Sequence, residues 1–224
     1  ITAGFRWFNH PETNVWDKDG NDAGTFTPKD WSVDVGYARK LTDDLSVGAT
    51  ARFIRSDMSG LDKDDAANAV AFDLGLYYRR NFENWEQSQW AVGLQASNFG
   101  TKIDYGYGKY DQASKIAVGG MIDHVFTDKH RLQGTLDVAC QVLPNTNWGG
   151  SVGVEYTLLQ IVAIRGGYHY GEQDNKLQRY GTLGCGVGCH HIKADFAYLI
   201  PEKDSLLKNT WQVALSIDLG LFKR

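Results

Sequence analysis

The chain has 224 residues, a formal net charge of −4 and 42% hydrophobic residues, which suits one large domain or two small ones. The negative balance excludes a basic surface that would attract nucleic acid. Aromatic residues and 25 glycines with only 4 prolines favour many strands over many helices. No run approaches 18 apolar residues, so a transmembrane helix is excluded. A membrane barrel of alternating strands is still compatible with the low mean hydropathy.

Hydrophobic and polar residues alternate along most of the chain. From Trp31 to Tyr37 the odd positions are apolar and the even positions are Ser, Asp and Gly, and 45–53, 70–78 and 211–221 repeat this pattern. A period of two is typical of strands that present two different faces. The sequence therefore predicts about twelve strands, at 1–9, 31–40, 44–57, 67–81, 88–98, 114–126, 130–141, 148–157, 160–170, 178–189, 191–200 and 209–221.

The connections between these strands alternate in length. The tight ones are 41–43, 82–87, 127–129, 158–159 and His190. The longer, polar ones are 10–30, 58–66, 99–113, 142–147, 171–177 and 201–208. Most strands have the ~9–11 residues of a tilted membrane-crossing strand. This pattern predicts an all-β fold, a transmembrane antiparallel up-and-down β-barrel over residues 1–224, with short turns in the periplasm and long loops outside.

One face of the predicted strands is apolar and the other carries charge. An arginine facing mid-bilayer lipid costs about 2–4 kcal/mol, and several charges buried in a soluble core would cost still more. We therefore expect the apolar face to contact lipid and the charges to lie in a solvated or ion-paired lumen. The predicted lumen-facing charges are Asp34, Arg52, Asp73, Asp137, Glu155, Arg165, Asp195 and Asp218.

Three motifs suggest chemistry but fit the pattern of strands and turns better. Gly149–Gly153 matches G-x-S-x-G, yet no helix follows the serine as a nucleophile elbow requires. His190 and His191 would point to opposite faces of a strand and cannot both bind one metal. Residues 17–22 lack the spacing and terminal glutamate of a calcium loop. We therefore expect no catalytic residue, no metal and no cofactor.

Several motifs in the C-terminal half occur in a defined order. They are G-x-E-Y at Gly153–Tyr156, R-x-G-Y at Arg165–Tyr168, Tyr-x-x-x-Gly-x-Gly at Tyr180–Gly186 and D-F-x-Y-L-x-P at Asp195–Pro201. Together with the upstream strands at 49–60, 69–78 and 90–105, they resemble the PorV/PorQ group of the type IX secretion system. The 105–116 region departs from the pattern of that group.

The resemblance implies a FadL-like barrel of fourteen strands in the outer membrane of a Gram-negative cell. Because the sequence predicts twelve strands and starts at Ile1 without a signal peptide, the resemblance implies that two N-terminal strands are missing. The resemblance also implies a non-enzymatic role. Such barrels bind the C-terminal signal domain of secreted cargo and carry it from the translocon barrel to a sortase-like attachment complex. The implied partners are these proteins and outer-membrane lipid.

The long loops are the predicted partner-binding regions, because loops on a rigid scaffold commonly carry function and exposed aromatic residues anchor interfaces. The candidate residues are Trp16, Phe26, Met58, Tyr105, Tyr107 and Tyr110. Alternatively, these loops fold over the barrel mouth. Two other functions stay open at this point: a FadL-like transporter of a hydrophobic small molecule, and a soluble β-sandwich binding module.

Overall fold

The structure is a computed structural model. It describes residues 1–16, 19–57, 66–85, 87–106, 108–172, 179–189, 192–202 and 209–217, with the backbone alone at positions 13, 15, 23, 26 and 217. The described residues contain strands and irregular connections and no helix. Accordingly, no helix in these ranges is long and apolar enough to cross a membrane.

Twelve long strands follow one another along the chain, and two short hairpins interrupt them. The long strands are β1 (Thr2–Asn9), β4 (Lys29–Lys40), β5 (Leu45–Asp57), β6 (Ala66–Asn81), β7 (Gln89–Gly100), β10 (Lys115–Thr127), β11 (His130–Gln141), β12 (Asn147–Leu158), β13 (Val162–Gly171), β14 (Tyr180–Cys189), β15 (Ile192–Pro201) and β16 (Trp211–Ile217). The short hairpins are β2 (Thr13–Trp16) with β3 (Asp22–Phe26), and β8 (Ile103–Asp104) with β9 (Lys109–Tyr110).

The long strands form one twelve-stranded antiparallel sheet in which each strand pairs with its neighbours along the chain. This order is the up-and-down arrangement that the alternating pattern predicts, and the all-β class is confirmed. Each predicted strand overlaps an observed one, with ends that differ by a few residues. Closure of the sheet into a barrel stays a prediction.

The two short hairpins correct the expectation that 10–30 and 99–113 contain no strands. In the first, the β1–β4 ladder ends at Asn9 and Lys29, and β2 pairs with β3 further along the same ribbon. Pro11 and Pro28 lie at the interruption. Because proline has no backbone N–H, it cannot donate to a ladder. The ribbon therefore stops at the prolines and resumes beyond them.

The chain divides into two compact units. Unit 1 contains 1–76, 95–116 and 141–146, and unit 2 contains 77–94, 117–140 and 147–224. Each unit contains part of the twelve-stranded sheet, and each has polar contacts among its own residues. The single-domain prediction for residues 1–224 stays a prediction.

Burial in the sheet is the reverse of that in a soluble protein. The buried hydrophobic residues among those described are five alanines, whereas the buried polar ones include Ser88, Gln112, Ser114 and Asp123. Large apolar side chains are exposed in nearly every long strand, for example Leu136 and Val213, each at 62%. A soluble β-sandwich buries its large apolar side chains. The burial of the described residues therefore disfavours the soluble binding module.

Candidate functional site

The register of the sheet sorts side chains onto two faces. In the β4–β5 pair, Asp34 lies opposite Arg52, while Val33 lies opposite Phe53. Since successive residues of a strand point to opposite sides, charges meet on one face and apolar groups on the other. We call these the polar face and the apolar face. Val33 and Phe53 are 41% and 40% exposed, whereas the Arg52 side chain is 13% exposed.

An ion cluster around Arg52 occupies the polar face of unit 1. The Arg52 guanidinium donates to Asp73 at 3.0 Å and to the side-chain oxygen of Asn98 at 2.7 Å. Its Nε lies 3.8 Å from Asp34, and Arg6 lies 3.5 Å from the same carboxylate. Three of the predicted charges, Asp34, Arg52 and Asp73, are therefore brought together. Two positive and two negative groups compensate each other within this cluster.

Asn98 connects this cluster to the following loop, and sequence reasoning missed it. Its φ of 59° is in the left-handed region, which asparagine adopts more readily than most residues. Its N–H donates to Asp73, its side-chain amide donates to Ala113 O, and its carbonyl accepts from Ser114. The only sequence signal is an asparagine near the end of a strand, shortly before Gly100.

A second ion cluster lies on the polar face of unit 2. Arg165 donates to Asp195 at 2.5 Å and also to Glu155, its cross-strand neighbour, and Lys193 lies 3.8 Å from Asp195. Gly186 provides the space, because a Cβ at that position would lie 2.4 Å from Asp195 Oδ1. Three more predicted charges, Glu155, Arg165 and Asp195, thus form one compensated group.

The ion pair between Asp123 and Arg131 in unit 2 was not predicted from the sequence. Asp123 is 1% exposed and accepts from Arg131 Nε at 2.6 Å, from Arg131 Nη2 at 2.5 Å and from Gln89 at 2.8 Å. The alternating pattern nevertheless indicated that Asp123 belongs to the polar face, because it lies an even number of residues from the other polar positions of β10. Of the remaining predicted charges, Asp137 lies in β11 beside Gly119 of β10, and Asp218 lies outside the described residues.

The segment after β7 folds back onto unit 1. Tyr105 donates its hydroxyl hydrogen bond to Ser56 at 2.9 Å. Gln112, which is 8% exposed, donates to Thr101 O at 2.6 Å and to Val70 O at 3.1 Å. A buried amide donor is costly when left unpaired, so these bonds hold Gln112 against Val70 and Thr101. The described residues of the 99–113 connection therefore pack onto unit 1.

The protonation of the Asp104 carboxylate links the stability of the β8–β9 turn to pH. The backbone N–H of Gly106 donates to Asp104 at 3.0 Å and Lys109 lies 3.1 Å away, so the pKa of Asp104 is lowered. A lowered folded-state pKa stabilises the turn above the unfolded pKa, about 3.9, and the stabilisation is lost as pH falls through the folded value. We expect amide exchange across 101–106 to accelerate below about pH 4, beyond its intrinsic pH dependence.

In Asp104→Asn the additional acceleration is expected to be absent, because the side chain no longer titrates. Hydrogen–deuterium exchange measured between pH 3 and pH 6 and corrected for intrinsic rates would detect this. Asp43→Asn, in the exposed turn between β4 and β5, removes the same charge elsewhere and should retain the wild-type response. An unchanged pH response in Asp104→Asn would show that another group controls the turn.

The structure describes only some of the candidate partner-binding aromatics. Trp16 ends β2 and is 63% exposed, and Tyr110 in β9 is 53% exposed. The Tyr105 and Tyr110 rings meet edge to face with centroids 5.9 Å apart. Phe26 is placed by its backbone in β3, opposite Thr13. Met58 and Tyr107 lie outside the described residues.

The G-x-S-x-G segment lies in a strand, as the sequence predicts. Ser151 in β12 faces His169 in β13, and its hydroxyl lies 2.9 Å from His169 Nδ1. The His169 ring stacks near Tyr180 at 5.0 Å. A strand serine lacks the turn into a helix that exposes the nucleophile of an α/β-hydrolase. Sequence reasoning missed the Ser–His contact, because the partners are neighbours only across the sheet. His190 and His191 lie outside the described residues.

Described residues of unit 2 line two cavities, of about 360 Å³ and 520 Å³, and Glu155 contributes to both. The smaller is lined by glycines, hydroxyl groups and His169, together with Val152, Val154 and Tyr168. The larger is lined by amides and by charged groups that include Asp123 and Lys193. Ligand pockets for apolar molecules are lined mainly by apolar and aromatic side chains. Of these two cavities, the larger has the lining of amides and charged groups that suits water or a polar molecule.

The fold and the polar face define an up-and-down sheet protein with exposed apolar side chains on one face of the sheet and compensated charges on the other. Comparison with protein families matches residues 1–147 to the family described as Type IX secretion system protein PorV, and the chain belongs to this family. It is therefore a component of the type IX secretion system, in a family of secretion components rather than enzymes. Comparison with curated proteins found no match.

The family match confirms the resemblance, although it covers a different part of the chain from the main motifs. It includes the upstream strands at 49–60, 69–78 and 90–105, and also residues 1–30. The motif series between 149 and 201 lies beyond it. The Arg52 cluster and both short hairpins therefore lie in the matched part, and the Arg165 cluster lies outside it.

Proposed function

We propose that the protein resides in the outer membrane as a β-barrel and acts as a non-enzymatic carrier. In this role it binds the C-terminal signal domain of secreted cargo at the translocon barrel and delivers it to a sortase-like attachment complex. The observation that carries this proposal is the match of residues 1–147 to the PorV family.

The distribution of side chains supports the membrane part of the proposal. Leu136, Ile164 and Leu215 are exposed apolar side chains. Transfer of such side chains from water into lipid is favourable. Charges on the polar face are compensated within local clusters, which lowers the cost of holding them in a narrow lumen. We therefore infer that the apolar face contacts lipid acyl chains.

The long connections support the binding part. They contain two short hairpins, and Trp16 and Tyr110 are exposed aromatic residues in these hairpins. Aromatic side chains on ordered loops lose little conformational entropy on binding and commonly anchor protein interfaces. A carrier needs such a surface.

An affinity purification from the native outer membrane tests this function. The tagged full-length protein is extracted in mild detergent, and the co-purifying proteins are identified by mass spectrometry. We expect a large translocon barrel, a sortase-like protease and proteins that share a C-terminal signal domain. A tagged, unrelated outer-membrane barrel from the same cells is the control. Recovery of the protein alone with bound fatty acid would contradict the carrier and favour the transporter.

A further inference from the structure

The β2–β3 ribbon, Thr13–Trp16 paired with Asp22–Phe26, lies beyond the end of the β1–β4 ladder. The N–H of His10 donates to Pro28 O at 3.0 Å at its base. Glu12 accepts a hydrogen bond from Thr25, and the Asp22 side chain accepts one from the Gly24 N–H at 2.9 Å. The His10–Pro28 and Glu12–Thr25 bonds join the two sides of the ribbon near its base.

This ribbon has open edges. Among the described residues, β2 and β3 form their own two-stranded sheet and pair only with each other. All five positions with described side-chain exposure are exposed: Asn14, Trp16, Asp22, Gly24 and Thr25. An isolated two-stranded sheet is marginal in water, and an open edge is a template for another strand. The ribbon is therefore suited to accept a third strand.

The charge of the ribbon and its base selects the partner. Residues 10–30 contain five acidic residues, at positions 12, 17, 19, 22 and 30, and two lysines, at positions 18 and 29. The formal charge is therefore −3 with histidine neutral. Opposite charge on a partner speeds its approach and fixes its register. The complementary partner is an extended segment rich in lysine or arginine.

Trp16 supplies the apolar contact for such a partner. The β2–β3 register shifts between Val15 and Trp16, and the indole is 63% exposed just beyond that irregularity. Irregularities of this kind re-aim side chains at the end of a ladder. Tryptophan is among the residues that most often dominate binding free energy at protein interfaces.

We propose that the β2–β3 ribbon binds cargo by strand addition, taking a basic edge strand of the C-terminal signal domain onto its open edge. Main-chain hydrogen bonds would supply affinity, and the acidic side chains and Trp16 would supply selectivity, as in other strand-addition complexes. This inference rests on the proposed function and deepens it. The inference specifies the surface that would bind cargo, the open edge of the ribbon, and the kind of strand bound, a basic one.

A ribbon excision tests the proposal. Residues 11–27 are replaced by Asn-Gly, a two-residue turn that suits a β-hairpin. His10 and Pro28 already lie within hydrogen-bonding distance, so the β1–β4 ladder can close. Binding of a purified cargo C-terminal signal domain to the detergent-solubilised, full-length protein is measured by biolayer interferometry. We expect the excision to weaken binding at least about tenfold, and Trp16→Ala to weaken it about tenfold.

Charge is tested in parallel. Glu12→Lys should weaken binding several-fold, and the effect should shrink as salt rises from 0.1 M to 1 M and shortens the screening length from about 10 Å to about 3 Å. Asp43→Lys makes the same charge change in the turn between β4 and β5. Trp85→Ala removes a tryptophan of similar exposure, 52%, from the 82–88 connection. Both control variants should bind like the wild type.

The outcomes separate this inference from the function on which it rests. Wild-type binding with loss in the excision variant and in Trp16→Ala supports the ribbon as the capture surface. Equal binding by the wild type and the excision variant overturns the ribbon proposal and leaves the carrier function standing. Absence of binding by the wild-type protein itself overturns the carrier function, and the ribbon proposal with it. Retained heat-modifiable migration on gels verifies that the excision variant is folded.

Discussion

Gly100→Ala is expected to disrupt the join between β6 and β7. A Cβ at position 100 would lie 1.9 Å from Val70 O and 2.8 Å from Ala71 Cα. Both are backbone atoms, and Val70 O already accepts hydrogen bonds from Thr101 N and Gln112. Because no flexible side chain can move aside, we expect a loss of about 3 kcal/mol or more in the free energy of unfolding. Urea unfolding in lipid vesicles would measure this loss.

Gly134→Ala is the matched control for this substitution. Gly134 lies inside β11, and a Cβ there would have no heavy atom within 4 Å. It should unfold at nearly the same urea concentration as the wild type. If Gly100→Ala were as stable as Gly134→Ala, the close approach of Gly100 to Val70 would not exist in the folded protein.

Arg165→Ala is expected to have the second-largest effect. It would leave Glu155 and Asp195, with side chains 29% and 23% exposed, without their shared cation. Removing one partner of a fully buried ion pair costs about 3–5 kcal/mol, and partial solvation together with Lys193 at 3.8 Å reduces that penalty. We therefore expect a loss of about 2 kcal/mol in the free energy of unfolding, measured in the same assay.

A variant with compensating changes shows whether uncompensated charge is the cause. Arg165→Ala combined with Glu155→Gln and Asp195→Asn should recover much of the lost stability, because no unpaired carboxylate remains. Arg80→Ala breaks a pair at 4.0 Å in which the arginine is 56% exposed, and it should change stability by less than about 1 kcal/mol. If Arg165→Ala were as mild as Arg80→Ala, the Arg165 cluster would contribute nothing to folding.

The sequence predicted the strands well because the signal for a strand is local. Alternation from Trp31 to Tyr37 and from Leu45 to Phe53 is visible without knowing the partner strand, and it also assigns each residue to a face. The Arg52 and Arg165 clusters follow the predicted polar face for the same reason. Asp123 shows the limit of this prediction. The alternation assigns Asp123 to the polar face, but its hydrogen bonds to Arg131 and Gln89 were not visible in the sequence.

The contacts that complete the candidate sites join residues far apart in the chain. Arg52 and Asn98 are 46 positions apart, and Tyr105 and Ser56 are 49 apart. Contacts between residues so far apart produce no periodic pattern in the sequence. Likewise, the β2–β3 ribbon is too short for alternation to stand out, and its residues looked like a polar loop. Its strand character depends on pairing with the opposite side of the ribbon, beyond the interruption at Pro11 and Pro28.

By itself, the sequence determined the strand order, the two-faced character of the sheet and, through its motifs, the family. These properties are encoded in neighbouring residues, because a strand alternates its side chains whatever it pairs with. The tertiary structure alone decided which charges compensate each other, that the 99–113 connection folds onto β5 and β6, and that a ribbon with open edges extends beyond β1 and β4. These properties depend on distances through space, and residue spacing along the chain does not specify them.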